Sequence, residues 1–178
     1  MMNISSSKGF SLAETLIALG VLTTGVLGTA AVLAKGMQHL SSSPSDVIVA
    51  QKAAQAVEAV FTARDSGKLT WAQIKNQGAG GVFLNGPQPL KKAGADGIVN
   101  TLDESSEEIE KVTYPGKDGI LGTADDKNVY LENYTREIAI ADVPNTNGEL
   151  RSIVVTMTFM SGSTKRTYVL KSFISAFS

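Results

Sequence analysis

A chain of 178 residues, 43 % of them hydrophobic, has room for one long apolar helix and one small domain. A net charge of −1 argues against a phosphate-binding surface, which needs clustered Lys and Arg, so nucleic acid is not indicated as a partner. The lack of cysteine excludes disulfides, thiol catalysis and zinc thiolate sites, leaving packing, hydrogen bonds or a metal to hold any folded part.

In chain order, a short polar stretch with one basic residue, Lys8, abuts an apolar run from Phe10 to Ala34 in which Glu14 is the only charge. A helix over residues 12–34 would extend about 34 Å at 1.5 Å per residue, enough to cross a bilayer core. A carboxylate at the centre of such a span costs roughly 2.5–3.5 kcal/mol, and less toward an interface. Its retention near the start therefore asks for a compensating partner. Lys8 on the short side places the N-terminus in the cytoplasm and the C-terminal domain across the membrane. Gly20, Thr24 and Gly28 recur every four residues, a stripe of small side chains that lets another helix approach closely.

Ser43-Pro44 with Asp46 reads as a fresh helix start, so the long helix is expected to kink or break briefly there. Beyond it Val49, Ala53, Ala56, Val57 and Val60 share one face, and Gly67 suits a C-cap. Thr70-Trp71-Ala72-Gln73 reads as a capping box opening a short helix. Residues 78–95 are rich in Gly and Pro and read as loop. Alternation then sets in: Ile138 and Ile140 share a face, as do Ile153, Val155, Met157 and Phe159, and Thr167–Phe173 supplies a third strand. Asn147-Gly148 and Gly162 mark the turns. The expected organisation is α+β. A leader over 1–9 precedes a long helix over 10–67, with a membrane or assembly half at 10–40 and an amphipathic half at 44–67. A head over 68–178 follows, with loops over 78–128 and an antiparallel sheet of about three strands over 129–177, leaning on the helix.

The head contains a near-repeat. Asp96-Gly97-Ile98-Val99-Asn100-Thr101-Leu102-Asp103 matches Asp118-Gly119-Ile120-Leu121-Gly122-Thr123-Ala124-Asp125, and Glu104 and Asp126 follow the two copies. Carboxylates, loop carbonyls and Gly-permitted turns are what calcium takes, with six to eight oxygen ligands at about 2.3–2.6 Å. Asp96, Asp103, Asp118, Asp125 and Asp126 are the candidate metal ligands, the last three foremost. Two solvated Asp-Gly turns are the plainer alternative, and the spacing is not that of an EF-hand. The acidic run Asp103-Glu104-Ser105-Ser106-Glu107-Glu108 reads as a solvated face. His39 is the only histidine and no Ser-His-Asp set surrounds it, so catalysis is not expected. Trp71 and Phe61 read as core contacts.

The string Lys8-Gly9-Phe10-Ser11-Leu12-Ala13-Glu14-Thr15-Leu16-Ile17-Ala18-Leu19 resembles the processing and assembly signature of type IV prepilins and type II secretion pseudopilins. The resemblance covers the first fifth of the chain. It implies cleavage after Gly9 by a prepilin peptidase, N-methylation of Phe10, a pilin fold, and assembly with other pilin or pseudopilin subunits at an inner-membrane platform. In that setting Glu14 meets the α-amino group of a neighbouring subunit, a buried pair that acts as a register device. The chain would sit in the inner membrane before assembly and in a periplasmic or extracellular filament afterwards. Ala31 stands where major pilins commonly have Pro, and the segment is similar to minor pilins of the pilus-modification type and to I-type minor pseudopilins. Calcium in the head of major pseudopilins adds to the expectation for the repeat. A major pilin, a single-span membrane-anchored calcium-dependent binding module, and a secreted enzyme cut by an ordinary signal peptidase near Ala31 are the competing readings.

Overall fold

The computed structural model describes residues 11–177, without the side chains of residues 38–43. The expected leader, Gly9, Phe10, the side chains of His39 and Ser43, and Ser178 lie outside the described residues. The chain divides into two compact units after Pro44, and each is described by itself.

Helix α1 is assigned over Leu12–Asp65 with Pro44 inside it, so of the expected kink or break the break is not found. Pro44 has no N–H to give to the helical ladder. In the first unit the segment Leu12–Met37 is long and apolar enough to cross a membrane, and none of it is buried.

In the second unit α1 buries Val49, Ala53, Ala56, Val60 and Ala63, the face that the helical spacing predicts. Gly67 ends it with φ +70°, its N–H donating to Arg64 O. Thr70 then donates from both N–H and Oγ1 to Gln73 Oε1, while Gln73 N–H donates to Thr70 O, so only the side-chain half of the expected capping box forms. Only a turn follows it. Arg151 Nη1 donates to the carbonyls of Trp71 and Ile74, the former of which a growing helix would use for its own N–H groups.

Four antiparallel strands form the main sheet in the order β1-β4-β5-β6: Gln88–Pro89, Thr135–Asp142, Leu150–Ser161 and Thr164–Ser175. The register sets Ile138 opposite Val155 and Ile140 opposite Ile153, so one face is continuous with the helix core. A separate hairpin joins β2 (Lys111–Tyr114) to β3 (Lys127–Tyr130). The region expected as loop over 78–128 thus contains strands, and the main sheet has four rather than three. Neither was readable from alternation: β1 is two residues ending in Pro89, and β2–β3 is mostly exposed on both faces. The outer edge of β4 is extended by a side chain, with Asn76 Nδ2 donating to Ile138 O and Ile140 N–H donating to Asn76 Oδ1, both at 2.7 Å.

Candidate functional site

Two places carry the polar chemistry: the start of α1 and the repeated loop of the head. At the first, Ser11 and Glu14 form a capping box. Ser11 N–H and Oγ donate to Glu14 Oε2 at 3.1 and 3.2 Å, and Glu14 N–H donates to Ser11 Oγ at 3.3 Å. In the single chain the carboxylate is therefore occupied locally, at the positive end of the helix dipole. The Ser-x-x-Glu spacing is the sequence signature of this cap. Along the same helix Thr24 Oγ1 donates to Gly20 O at 3.0 Å, which satisfies the hydroxyl internally. A Cβ at Gly20 or Gly28 would meet nothing within 4 Å, so the small-residue stripe is open along its length.

The sequence repeat is a structural repeat. In the first copy, between β1 and β2, Ile98 N–H donates to Asp96 Oδ1 at 2.7 Å. Its counterpart in the β2–β3 hairpin, Ile120 N–H, donates to Asp118 Oδ1 at 2.9 Å. Thr101 Oγ1 donates to Asp103 Oδ1 at 2.5 Å, and Thr123 Oγ1 to Asp125 Oδ1 at 2.7 Å. Asn100 N–H donates to Glu104 Oε2 at 2.9 Å, and Gly122 N–H to Asp126 Oδ2 at 2.6 Å. The threonine bonds are the main reason that Asp103 and Asp125 are held below the usual carboxylate range. The repeat also begins earlier than its sequence match suggested. A Cβ built at Gly94 would overlap the carboxylate of Asp103, and one at Gly116 that of Asp125. Only glycine fits where the closing aspartate folds back.

The copies differ in their surroundings. Ile98 and Val99 are buried, at 2 % and 9 % exposure, whereas Ile120 and Leu121 are each 61 % exposed. Glu104 is buried too, which corrects its place in a solvated acidic face: Arg136 Nη2 donates to Glu104 Oε1 at 3.1 Å, and Arg136 Nε to Asn100 Oδ1 at 2.7 Å. Asn100 Nδ2 returns a bond to Arg136 O at 3.1 Å, so the first loop is tied to β4 by a closed set of polar contacts. Glu110 extends the set toward α1, 3.7 Å from Arg136 and ion-paired with Lys52. Burial pushes Glu104 up to about 7 against the pull of Arg136 and the Asn100 N–H, and burial lowers Arg136 as well. In the second copy Asp126 Oδ1 is buried without a hydrogen-bond partner.

The expected ligands of calcium stand as follows. Asp96, Asp103, Asp118, Asp125 and Asp126 each accept from backbone N–H or threonine hydroxyl within their own loop. Among the described residues no three Asp, Glu or His side chains converge as a metal site. Asp126 Oδ1 is, among the described residues, the buried side-chain oxygen left without a hydrogen-bond partner.

Trp71 packs against the core as expected. Its Nε1–H donates to Gly148 O at 2.8 Å, and the Arg151 guanidinium lies 4.0 Å from its ring centre. Comparison with family models, with curated proteins and with solved structures gives no match to this chain.

Proposed function

We propose that this chain is a structural, non-enzymatic subunit, of the minor kind, of a type IV pilus or type II secretion pseudopilus. Its helix–sheet head takes the pilin fold in this reading. The observation that carries it is the segment Leu12–Met37: apolar along its length, unburied within its own chain, and opened by one carboxylate at Glu14. Burying a Leu or Val side chain stabilises by about 1.5–3 kcal/mol, so a helix that leaves Leu16, Ile17, Leu19, Leu22, Leu27 and Leu33 exposed belongs in lipid or among like helices. The open stripe of Gly20, Thr24 and Gly28 serves the second environment.

In this reading the prepilin peptidase cuts after Gly9, Phe10 is methylated, and the subunit waits in the inner membrane as a single span. The assembly platform then transfers it to a periplasmic or extracellular filament. Mass spectrometry of the native protein's N-terminus tests this. A mature chain beginning with methylated Phe10 is expected. Retention of residues 1–9 would favour a membrane-anchored binding module instead, and a start near Ala31 a secreted product.

A further inference from the structure

We propose that Asn147 is a self-modification site: the backbone nitrogen of Gly148 attacks its carboxamide carbon, and the isoaspartate that results unpins Trp71 from the β4–β5 connection. The nitrogen gives up its proton and bonds to Cγ, the Cγ–Nδ2 bond breaks, and Nδ2 leaves as ammonia with that proton. Water then opens the cyclic imide. Opening at Cγ gives aspartate, and opening at the Asn147 main-chain carbonyl gives isoaspartate, with one extra carbon in the backbone. Glycine after asparagine favours the attack, because it has no side chain to crowd the nitrogen and the freest backbone.

Asn85-Gly86 and Asn147-Gly148 are the two Asn-Gly pairs of the chain, and the fold treats them differently. Gln88 Nε2 donates to both Asn85 O and Gly86 O, at 3.0 and 3.4 Å, and the Asn85 carboxamide lies against Gly78, where a Cβ would come within 3.3 Å of Nδ2. That pair is held still. Asn147 is exposed, and among the described residues neither its carboxamide nor the Gly148 N–H makes a hydrogen bond. A Cβ at Gly148 would meet nothing within 4 Å, so the nitrogen stands open to water. Asn145 and Asn147 take left-handed φ, at +63° and +51°, a conformation that costs residues with a Cβ. One backbone bond of the turn, Glu149 N–H to Thr146 O at 2.9 Å, closes over the pair, so little is lost when the turn opens to the reactive geometry. The consequence reaches the start of the head. Gly148 O accepts from Trp71 Nε1 at 2.8 Å, and Glu149 O from the Ala176 N–H at 2.7 Å. An extra backbone carbon just before Gly148 displaces the first acceptor and strains the second.

The test ages the full-length protein in vesicles at pH 8, in heavy-oxygen water. Peptide mass spectrometry with electron-transfer fragmentation should find label at Asn147 at least about fivefold faster than at Asn85, with isoaspartate among the products. Trp71 is the only tryptophan, so its emission should move to longer wavelength in step with isoaspartate. Freshly prepared Asn147→Asp, which has the new charge without the extra carbon, should keep the original emission, and Asn147→Gln should neither take up label there nor shift over the same period. Equal labelling of Asn85 and Asn147, aspartate without isoaspartate, or emission that stays fixed while isoaspartate accumulates would overturn the proposal. The reaction needs only water, so an uncleaved leader would sink the filament reading and leave this site standing.

Discussion

Arg136 Nη2 and Glu104 Oε1 lie 3.1 Å apart with both side chains buried. Glu104 belongs to the first loop and Arg136 to the strand β4, so this pair fastens a segment without regular structure to the sheet. Removing one partner of such a buried pair commonly costs about 3–5 kcal/mol. Asn100 completes the bracket by bonding the guanidinium and the strand's carbonyl together.

Removing the cation exposes that dependence. Arg136→Met should lower unfolding free energy by about 3–5 kcal/mol at pH 7.5, since Glu104 then has no counter-charge. Adding Glu104→Leu should recover most of the loss, as replacing both partners by apolar groups is commonly near neutral. Urea unfolding of the two variants measures this. A single-variant loss below about 1 kcal/mol would mean that the pair does not hold the loop.

The same pair sets a pH dependence. Burial raises Glu104 from 4.5 to about 7, so between those values the folded chain binds more protons than the unfolded one. Stability from this group is therefore fully present below pH 4.5 and is lost as pH rises through 7. The ceiling is about 3 kcal/mol at 1.36 kcal/mol per pKa unit. Asp103 and Asp125 act oppositely: held low by their threonine bonds, they lose their contribution as pH falls through their folded values, below the usual 3.8. Through Glu104 the head should be more stable at pH 5 than at pH 8. Glu104→Gln should flatten the slope between 5 and 8, and an unchanged slope in that variant would count against Glu104 as its source.

Side-chain period made the helix core and the long strands legible. Val49, Ala53, Ala56 and Val60 follow the helical repeat, and Ile153, Val155, Met157 and Phe159 the strand repeat; all are buried. The same logic fails where side chains of the head do not alternate. Strand β1 is two residues long, and Asn76 pairs with β4 through its amide rather than its backbone, which no pattern announces. Glu104 looks solvated in the sequence because it stands in an acidic run, while its partner Arg136 is 32 residues away. The repeat was visible as residues, but which copy is seated and which is exposed depends on tertiary placement alone.

That difference predicts unequal effects from equal substitutions. Gly94→Ala and Gly116→Ala each drive a methyl into the closing aspartate, Asp103 or Asp125. The first loop is seated in the core, so its displacement strains the whole head, and a loss of about 1–3 kcal/mol is expected. The second loop protrudes from the β2–β3 hairpin, and Gly116→Ala should cost less than about 1 kcal/mol. Thermal unfolding of the two variants compares them directly. Equal losses would mean that the second loop is held by the head as firmly as the first.

Glu14 carries two separable duties in the proposed filament: capping its own helix and presenting a charge to a neighbour. The capping box needs only an acceptor at the third helical position, which glutamine supplies as well as glutamate. A charge pair with the α-amino group of the next subunit needs the carboxylate itself. Glu14→Ala removes both and should cost the helix start about 1 kcal/mol while leaving cleavage after Gly9 intact. Glu14→Gln keeps the cap and removes the charge. If register depends on the pair, both variants should be processed normally and both should enter filaments poorly, since a buried ammonium left unpaired costs several kcal/mol. Filament content relative to membrane-bound mature subunit is the measurement. Normal incorporation of Glu14→Gln, with Glu14→Ala defective, would reduce Glu14 to a helix cap and remove the charge from the assembly mechanism.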